Sequence, residues 1–443
     1  MRRRLLPLGL AALFFNPSFA QTVDAGRGGT YETGNVSMPR AAEPRIAEPI
    51  APLTLTAALE LAFGANPELS AAGRELEALE ATIIQAQARR NPEIAALVED
   101  THRATRTTTL QVNQPIELGG KRAARIDAAE LGRDAASAEL AAKRAEIRAV
   151  VVVAFFDVLV AQERLRLAQA SVELAQRATT AASRRVAAGK VSPVEETRAR
   201  VAEAGVRVEL TLAGSELATA RKRLAGTWGN AMPRFERAEG DLEVLPPLPA
   251  LTDLNIRLAT SPNLLRARIE VDRRQALAEI ERSRRIPDVT VSLGAKRNEE
   301  LGRNQAILGV SIPIPVFDRN QGNLLEALRR TDKARDELSA AEIRLSNELA
   351  FEHERLNTAR WETESMRRDI LPGAQSAYDA ATKGFELGKF SFLEVLDAQR
   401  TSFQAKSQYL RALAEAHRSA AEIQRILGEA SPSSTHAPAA TKQ

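Results

Sequence analysis

Apolar residues recur along this chain with two different steps. Leu69, Ala72, Leu76, Leu79, Ile83 and Ala86 advance by threes and fours, the stripe of an amphipathic or coiled-coil helix. Leu338, Ala341, Leu345 and Leu349 continue the rule much later. Elsewhere the step is two. Val289, Val291, Leu293 and Ala295 alternate with Thr290, Ser292, Gly294 and Lys296, and Leu308, Val310, Ile312 and Ile314 share one face of residues 307–316. Leu110, Val112, Ile116 and Leu118 oppose Thr109, Gln111 and Asn113 in the same way. Segments of about ten residues with one apolar and one polar face suit strands that meet lipid on one side and water on the other. Periodicity alone would favour a half-buried soluble hairpin, so the choice rests on features elsewhere in the chain.

The landmarks between these patterns occur twice. Asn66-Pro67-Glu68-Leu69 returns as Ser261-Pro262-Asn263-Leu264, and Asn91-Pro92-Glu93-Ile94 as Ile286-Pro287-Asp288-Val289, both 195 residues on. "NQPIEL" answers "SIPIPV" at 198, and Gly189-Lys190 with Ser192 answers Gly388-Lys389 with Ser391 at 199. Preserved order with a slowly growing offset means a duplicated unit. The expected boundaries are residues 53–227 for the first copy, with a strand pair at about 93–118, and 253–428 for the second, with a strand pair at about 288–316. Residues 228–252 form the linker. Each copy reads helix, two strands, very long helix, break, helix. About 68 residues separate strands from break (120–187 and 319–386), with Pro372 the one internal proline. At 1.5 Å per residue such a helix reaches ~100 Å, taller than any compact domain.

The start of the chain narrows the setting. Arg2, Arg3 and Arg4, the apolar run "LLPLGLAALFF" and Ser18-Phe19-Ala20 make residues 1–20 an expected secretory signal. Residues 21–52 follow as an extended segment, and 429–443 are an expected disordered tail. Without the three arginines the formal charge falls from +4 to +1, so no nucleic-acid partner is implied. Cysteine is absent, which excludes disulfides, thiolate metal sites, thiol catalysis and a lipidated Cys. The longest later apolar run, "AVVVVAFF" at 149–156, is far short of the ~20 residues of a membrane helix. An exported chain with tall helices and no other membrane device turns the strand pairs into membrane strands. Four strands cannot close a barrel that begins at about eight, so copies must share one, and three copies would supply about twelve.

The breaks have local chemistry of their own. Gly189 and Gly388 suit the left-handed residue that ends a helix. Ser192 and Ser391 then read as N-caps, each with an acid three residues on (Glu195, Glu394), and Pro193 fits the first helical position. Glu394 and Asp397 share a helical face, where acids near an N-terminus gain ~0.3–1 kcal/mol. The four histidines, His102, His353, His417 and His436, lack metal-ligand spacing. No nucleophile elbow, phosphate loop or zinc motif occurs, so neither an enzyme nor a cofactor is expected.

Signal, duplicated unit, Pro-bounded strand pairs and "LGKFSFLEVLDAQR" together resemble the TolC-like outer-membrane factors of tripartite efflux pumps. "QPIELGGKRAAR" is similar to the branch serving heavy-metal efflux of the cobalt-zinc-cadmium type. The resemblance implies a mainly α protein with a transmembrane β-barrel: a homotrimer sharing a roughly 12-stranded barrel in outer-membrane lipid, continued by a long periplasmic α-helical barrel with an equatorial region at the linker. It implies a periplasmic adaptor (membrane fusion protein) and an inner-membrane RND pump as partners. By resemblance, Gly189, Lys190, Val191, Ser192, Gly388, Lys389, Phe390 and Ser391 are adaptor-docking tips, with Val191 and Phe390 exposed, and Glu394 and Asp397 line the pore entrance. Phe390 stands where the family pattern has a basic residue, which puts a salt-bridge latch in doubt, and Arg198 stands where the first copy would match Asp397, so the ring is expected to be asymmetric between the copies. Drug efflux, type I protein secretion and a periplasmic hairpin adaptor stay open as alternatives.

Overall fold

The computed structural model describes Glu48, residues 52–100 and residues 102–428; the expected signal, most of the segment after it and the tail lie outside the described residues. In chain order the elements are α1 (Leu55–Ala65), α2 (Pro67–Gln87), β1 (Glu93–Glu99), β2 (Thr107–Ile116), α3 (Lys121–Ala187) and α4 (Pro193–Gly226), then α5 (Leu251–Leu258), α6 (Pro262–Ser283), β3 (Val289–Asn298), β4 (Arg303–Ser311), α7 (Gln321–Ser365), α8 (Leu371–Glu386) and α9 (Phe392–Leu427). The order α-α-β-β-long α-α therefore occurs twice.

Three local features depart from the sequence reading. Each strand pair is preceded by two helices, not one. The sites of the split are the repeat landmarks themselves: Asn66 and Ser261 accept from the backbone N–H groups of Leu69 (3.0 Å) and Leu264 (3.4 Å), and Pro67 and Pro262 occupy the first helical position. The fourth strand stops at Ser311 although its alternation runs on through Ile314, because Pro313 and Pro315 have no N–H to give a ladder. Pro372 does not break the second long helix. A π turn at Met366–Ile370, closed by Leu371 N–H to the Met366 carbonyl, separates α7 from α8 and absorbs the hydrogen bond that proline cannot make.

All four strands form one antiparallel sheet in the order β1-β2-β3-β4. The register joins the repeats through β2 and β3 and lines up Ile94, Val112, Leu293 and Leu308 in one row, with Gln114, Val291 and Val310 in the next. The opposite face carries Asn113, Ser292 and Gly309, with Ser292 Oγ donating to Asn113 Oδ1 (2.7 Å). The apolar face is bare: Ile94, Leu110, Val112, Leu293, Leu308 and Val310 are 44–79% exposed.

The helices pack through thin cores. On the 67-residue α3, Ala154, Ala161, Ala168, Ala175 and Ala182 are all buried; a seven-residue repeat of methyl side chains lets neighbouring helices approach closely. Larger side chains gather at mid-length. Phe155, Leu224, Trp228 and Phe235 form one cluster, and Val160, Leu242, Met366, Tyr409 and Leu413 another. Residues 228–250 are held into these clusters, and Leu53 bridges to Ala238 in parallel. Glu48 accepts from Trp228 Nε1 (2.7 Å), Asn230 Nδ2 (2.6 Å) and the Arg234 N–H (2.5 Å).

Candidate docking tips and pore entrance

Both helix breaks close in the same way. Lys190 N–H reaches the Arg185 carbonyl (2.9 Å) and Gly189 N–H that of Val186 (2.9 Å); Lys389 reaches Gly384 (2.8 Å) and Gly388 reaches Phe385 (3.0 Å). This paired 6→1 and 5→2 closure needs a left-handed residue after the helix, and Gly189 and Gly388 supply it at φ of 68° and 72°.

The restarts differ. Ser391 Oγ accepts from Glu394 N–H (3.4 Å) while the Glu394 carboxylate accepts from Ser391 N–H (2.6 Å), a complete capping box. In the first copy Ser192 accepts from Val194 N–H (3.4 Å) and the Glu195 carboxylate takes no bond from Ser192 N–H, so Ser192 caps the helix without the box expected there. Glu196 is engaged instead. Ser183 Oγ (2.8 Å) and Arg200 (2.5 Å) both donate to its carboxylate, and these hydrogen bonds hold it below the usual carboxylate range.

The apolar tip residues are placed differently as well. Val191 is half-buried rather than exposed. Phe390 is 43% exposed, its ring lying on Gly384. The barest apolar side chains at the tips are Leu387 (64%), Val194 (54%) and Leu393 (47%). Val194 and Leu393 stand 199 residues apart, two positions after the capping serines, a repeat signal that would have identified them.

The two hairpins are joined at their ends. Arg185 Nη2 donates to the Phe385 carbonyl (2.6 Å), and its guanidinium lies 4.0 Å from the centre of the Phe385 ring. Ala182, Ala199, Ala381, Phe385 and Val395 pack together beside it. Neither periodicity nor spacing pointed to Arg185, which is one arginine among many. Glu394 and Asp397 are exposed on α9 and Arg198 on α4, so the two copies present unlike charge at matched positions.

The histidines do not converge. His353 and His417 meet the Pro249 and Leu242 carbonyls (3.0 and 3.1 Å), and the buried His417 stacks on Phe156 with centroids 3.6 Å apart. His102 sits in the turn between β1 and β2. Among the described residues no three His, Cys, Asp or Glu side chains are grouped to hold a metal ion.

Comparison with known proteins agrees with this arrangement. The chain is 51% identical to the cobalt-zinc-cadmium resistance protein CzcC of Cupriavidus metallidurans over 97% of its own length and all of that protein. It is 27% identical to the nickel-cobalt-cadmium resistance protein NccC of Alcaligenes xylosoxydans xylosoxydans over 64% of this chain and 66% of that one. Among solved structures, CusC superposes with a TM-score of 0.73 at 18% identity, covering 85% of this chain and 92% of that one. The outer membrane protein VceC of Vibrio cholerae gives 0.72 at 19%, covering 84% and 96%. The model of the family described as outer membrane efflux protein matches residues 58–230 and again 254–429, and the chain belongs to that family.

Proposed function

We propose that this outer-membrane channel of a tripartite efflux system works as a homotrimer whose three sheets join into one roughly twelve-stranded barrel, and that its cargo is heavy-metal cations. The observation that carries the conduit is the sheet. Four strands with one bare apolar face and one polar face leave β1 and β4 without an outer neighbour among the described residues, and lipid cannot satisfy an open edge. Pairing β4 of one copy with β1 of the next removes every edge. The helices support the same assembly. Val201 and Val208 stand seven residues apart on α4 and are 68% and 59% exposed, as a seam without its partner would be. Similarity to CzcC along almost the whole chain supports cobalt, zinc and cadmium as cargo.

At the tips, Gly189–Ser192 and Gly388–Ser391, with Val194, Leu387 and Leu393 beside them, offer an apolar surface to the hairpin of a periplasmic adaptor that couples the channel to an inner-membrane RND pump. Glu394 and Asp397 from three copies form a carboxylate ring that favours cations at the entrance. The conduit supplies no catalytic step, and its selectivity is electrostatic. Glu394→Gln with Asp397→Asn tests this in planar bilayers: the trimer persists and cation preference falls. Unchanged ion selectivity removes the entrance role. Leu387→Asp tests docking without disturbing a packed side chain, and full adaptor crosslinking at normal outer-membrane abundance would rule the tip out.

A further inference from the structure

Strands and helices meet in a belt of short connections, residues 88–92, 117–120, 284–288 and 312–320, all at one end of the sheet. Two independent features set the belt apart. Its apolar side chains are uncovered: Ile314 is 82%, Val316 58% and Phe317 92% exposed. They follow the end of β4 at Ser311, where Pro313 and Pro315 keep the segment out of the ladder. The second feature is surplus positive charge. Lys121 holds Asp288 (2.5 Å), and Arg125 holds Glu117 (2.5 Å) with Arg90 beside it (3.5 Å). Asp318 is occupied by the Asn320 N–H (2.8 Å) and Glu281 by Arg284 (2.6 Å). Arg89, Arg285 and Arg319 are exposed and make no ion pair among the described residues. Arg89 also lines a groove of about 620 Å³ between the end of α2 and Ile280 on α6.

We propose that this belt seats anionic phospholipid of the leaflet nearest the helices, with phosphate on Arg89, Arg285 and Arg319 and acyl chain against Ile314, Val316 and Phe317. The inference rests on the barrel reading above and goes beyond it in naming a headgroup class. A second copy laid over the same patch would bury guanidinium groups without counter-charge, which is costly. A lipid phosphate neutralises them in the bidentate geometry that arginine favours, while the apolar side chains enter the acyl boundary. Each basic residue near an anionic leaflet contributes about fivefold in affinity.

The test uses the full mature protein, purified in non-ionic detergent, offered equal amounts of phosphatidylglycerol and phosphatidylethanolamine, with retained lipid read by native mass spectrometry. Wild type should keep phosphatidylglycerol preferentially. Each of Arg89→Gln, Arg285→Gln and Arg319→Gln should lower that preference by about fivefold at most, and the triple variant should show none. Phe317→Ser should reduce retention of both lipids alike. Equal retention by wild type, or an unchanged preference in the triple variant, overturns the proposal. So does complete displacement by excess inorganic phosphate, which would mark a free-anion site, or the absence of any lipid crosslink from position 317. Insertion into phosphatidylethanolamine vesicles without headgroup preference refutes the lipid seat alone; failure to insert into any vesicle refutes the barrel.

Discussion

Gly384 lies inside α8, three residues before the last turn closes, where alanine would ordinarily be the better residue by about 1 kcal/mol. Its helical backbone needs no glycine. The ring of Phe390 does: a Cβ at position 384 would stand 2.6 Å from Phe390 Cε2, 2.8 Å from Cγ and closer still to Cδ2. Gly384→Ala therefore drives the ring outward. Somewhat more than half of Phe390 is covered, so of its ~200 Å² roughly 100 Å² would be lost, at most about 2.5 kcal/mol. A displaced ring recovers part of this, and the alanine contributes its ~1 kcal/mol, which leaves a net destabilisation of about 1 kcal/mol. In a Phe390→Ala background only the alanine gain remains, so the same substitution changes sign. Hydrogen exchange of amides 384–391 in the detergent-solubilised protein measures both. With Phe390 present, Gly384→Ala should speed exchange by about fivefold; with Phe390 absent it should slow exchange by a similar factor. An equal effect in both backgrounds would refute the ring-on-glycine packing.

Other perturbations separate the two tips and the buried mid-length layer. Glu394→Gln should speed exchange at Ser391 by a few-fold, the value of about half a cap, whereas Glu195→Gln should leave Ser192 unchanged because no reciprocal bond exists there. Arg185→Ala removes a charged hydrogen bond and a ring contact, ~1–3 kcal/mol before solvent screening, and should loosen residues 378–390 while Arg184→Ala does not; equal loosening by both would deny the bridge. Burial pushes the His417 imidazole below its ordinary value. The folded chain therefore favours the neutral form, and stability present above about pH 6.5 should fall as pH drops through the lowered folded value. His417→Leu should flatten that fall in thermal unfolding scans. The hydrogen bond from Arg125 holds Glu117 below the usual carboxylate range. Its contribution should be present above about pH 4.3 and lost as pH falls through the depressed value, with Glu117→Gln acid-insensitive at the belt.

β2, β3 and β4 were legible because their apolar and polar residues alternate, and Val112, Leu293 and Leu308 share a register row on the face the alternation predicts; β1 runs Ile94, Ala95, Ala96, Leu97 and Val98 in succession and carries no such period. The same rule overran at β4, since periodicity records which way side chains point and says nothing about whether a backbone N–H is available, and Pro313 and Pro315 have none. The helix restarts were legible where a serine after the glycine break bonds a nearby backbone N–H of the next turn, as at Ser192 and Ser391. The extra helices α1 and α5 do not follow from the sequence reading, because Asn66-Pro67 and Ser261-Pro262 serve there as landmarks that align the copies and not as caps that divide a helix.

What the sequence hides is contact across large separations. Arg185 and Phe385 are 200 positions apart, and Lys121 and Asp288 are 167; neither pair differs in type or spacing from dozens of ordinary charges and rings on these helices. Duplication gives a partial remedy, because two copies with the same backbone should carry the same residue unless something local differs. Position 384 is glycine where its counterpart is Arg185, and 390 is phenylalanine where its counterpart is Val191. Those two differences are one event in space: the glycine makes room for the ring, and the arginine of the other copy reaches over to the carbonyl beside it. Divergence between matched positions, more than similarity, thus marks where the hairpins touch, and the unlike pair Arg198 and Asp397 extends the same logic. Reversing that pair as Arg198→Asp with Asp397→Arg should preserve the net charge of the tips and keep the fold. If the entrance reads only total charge, conductance will not change; if it reads the carboxylate ring on α9, cation preference must fall.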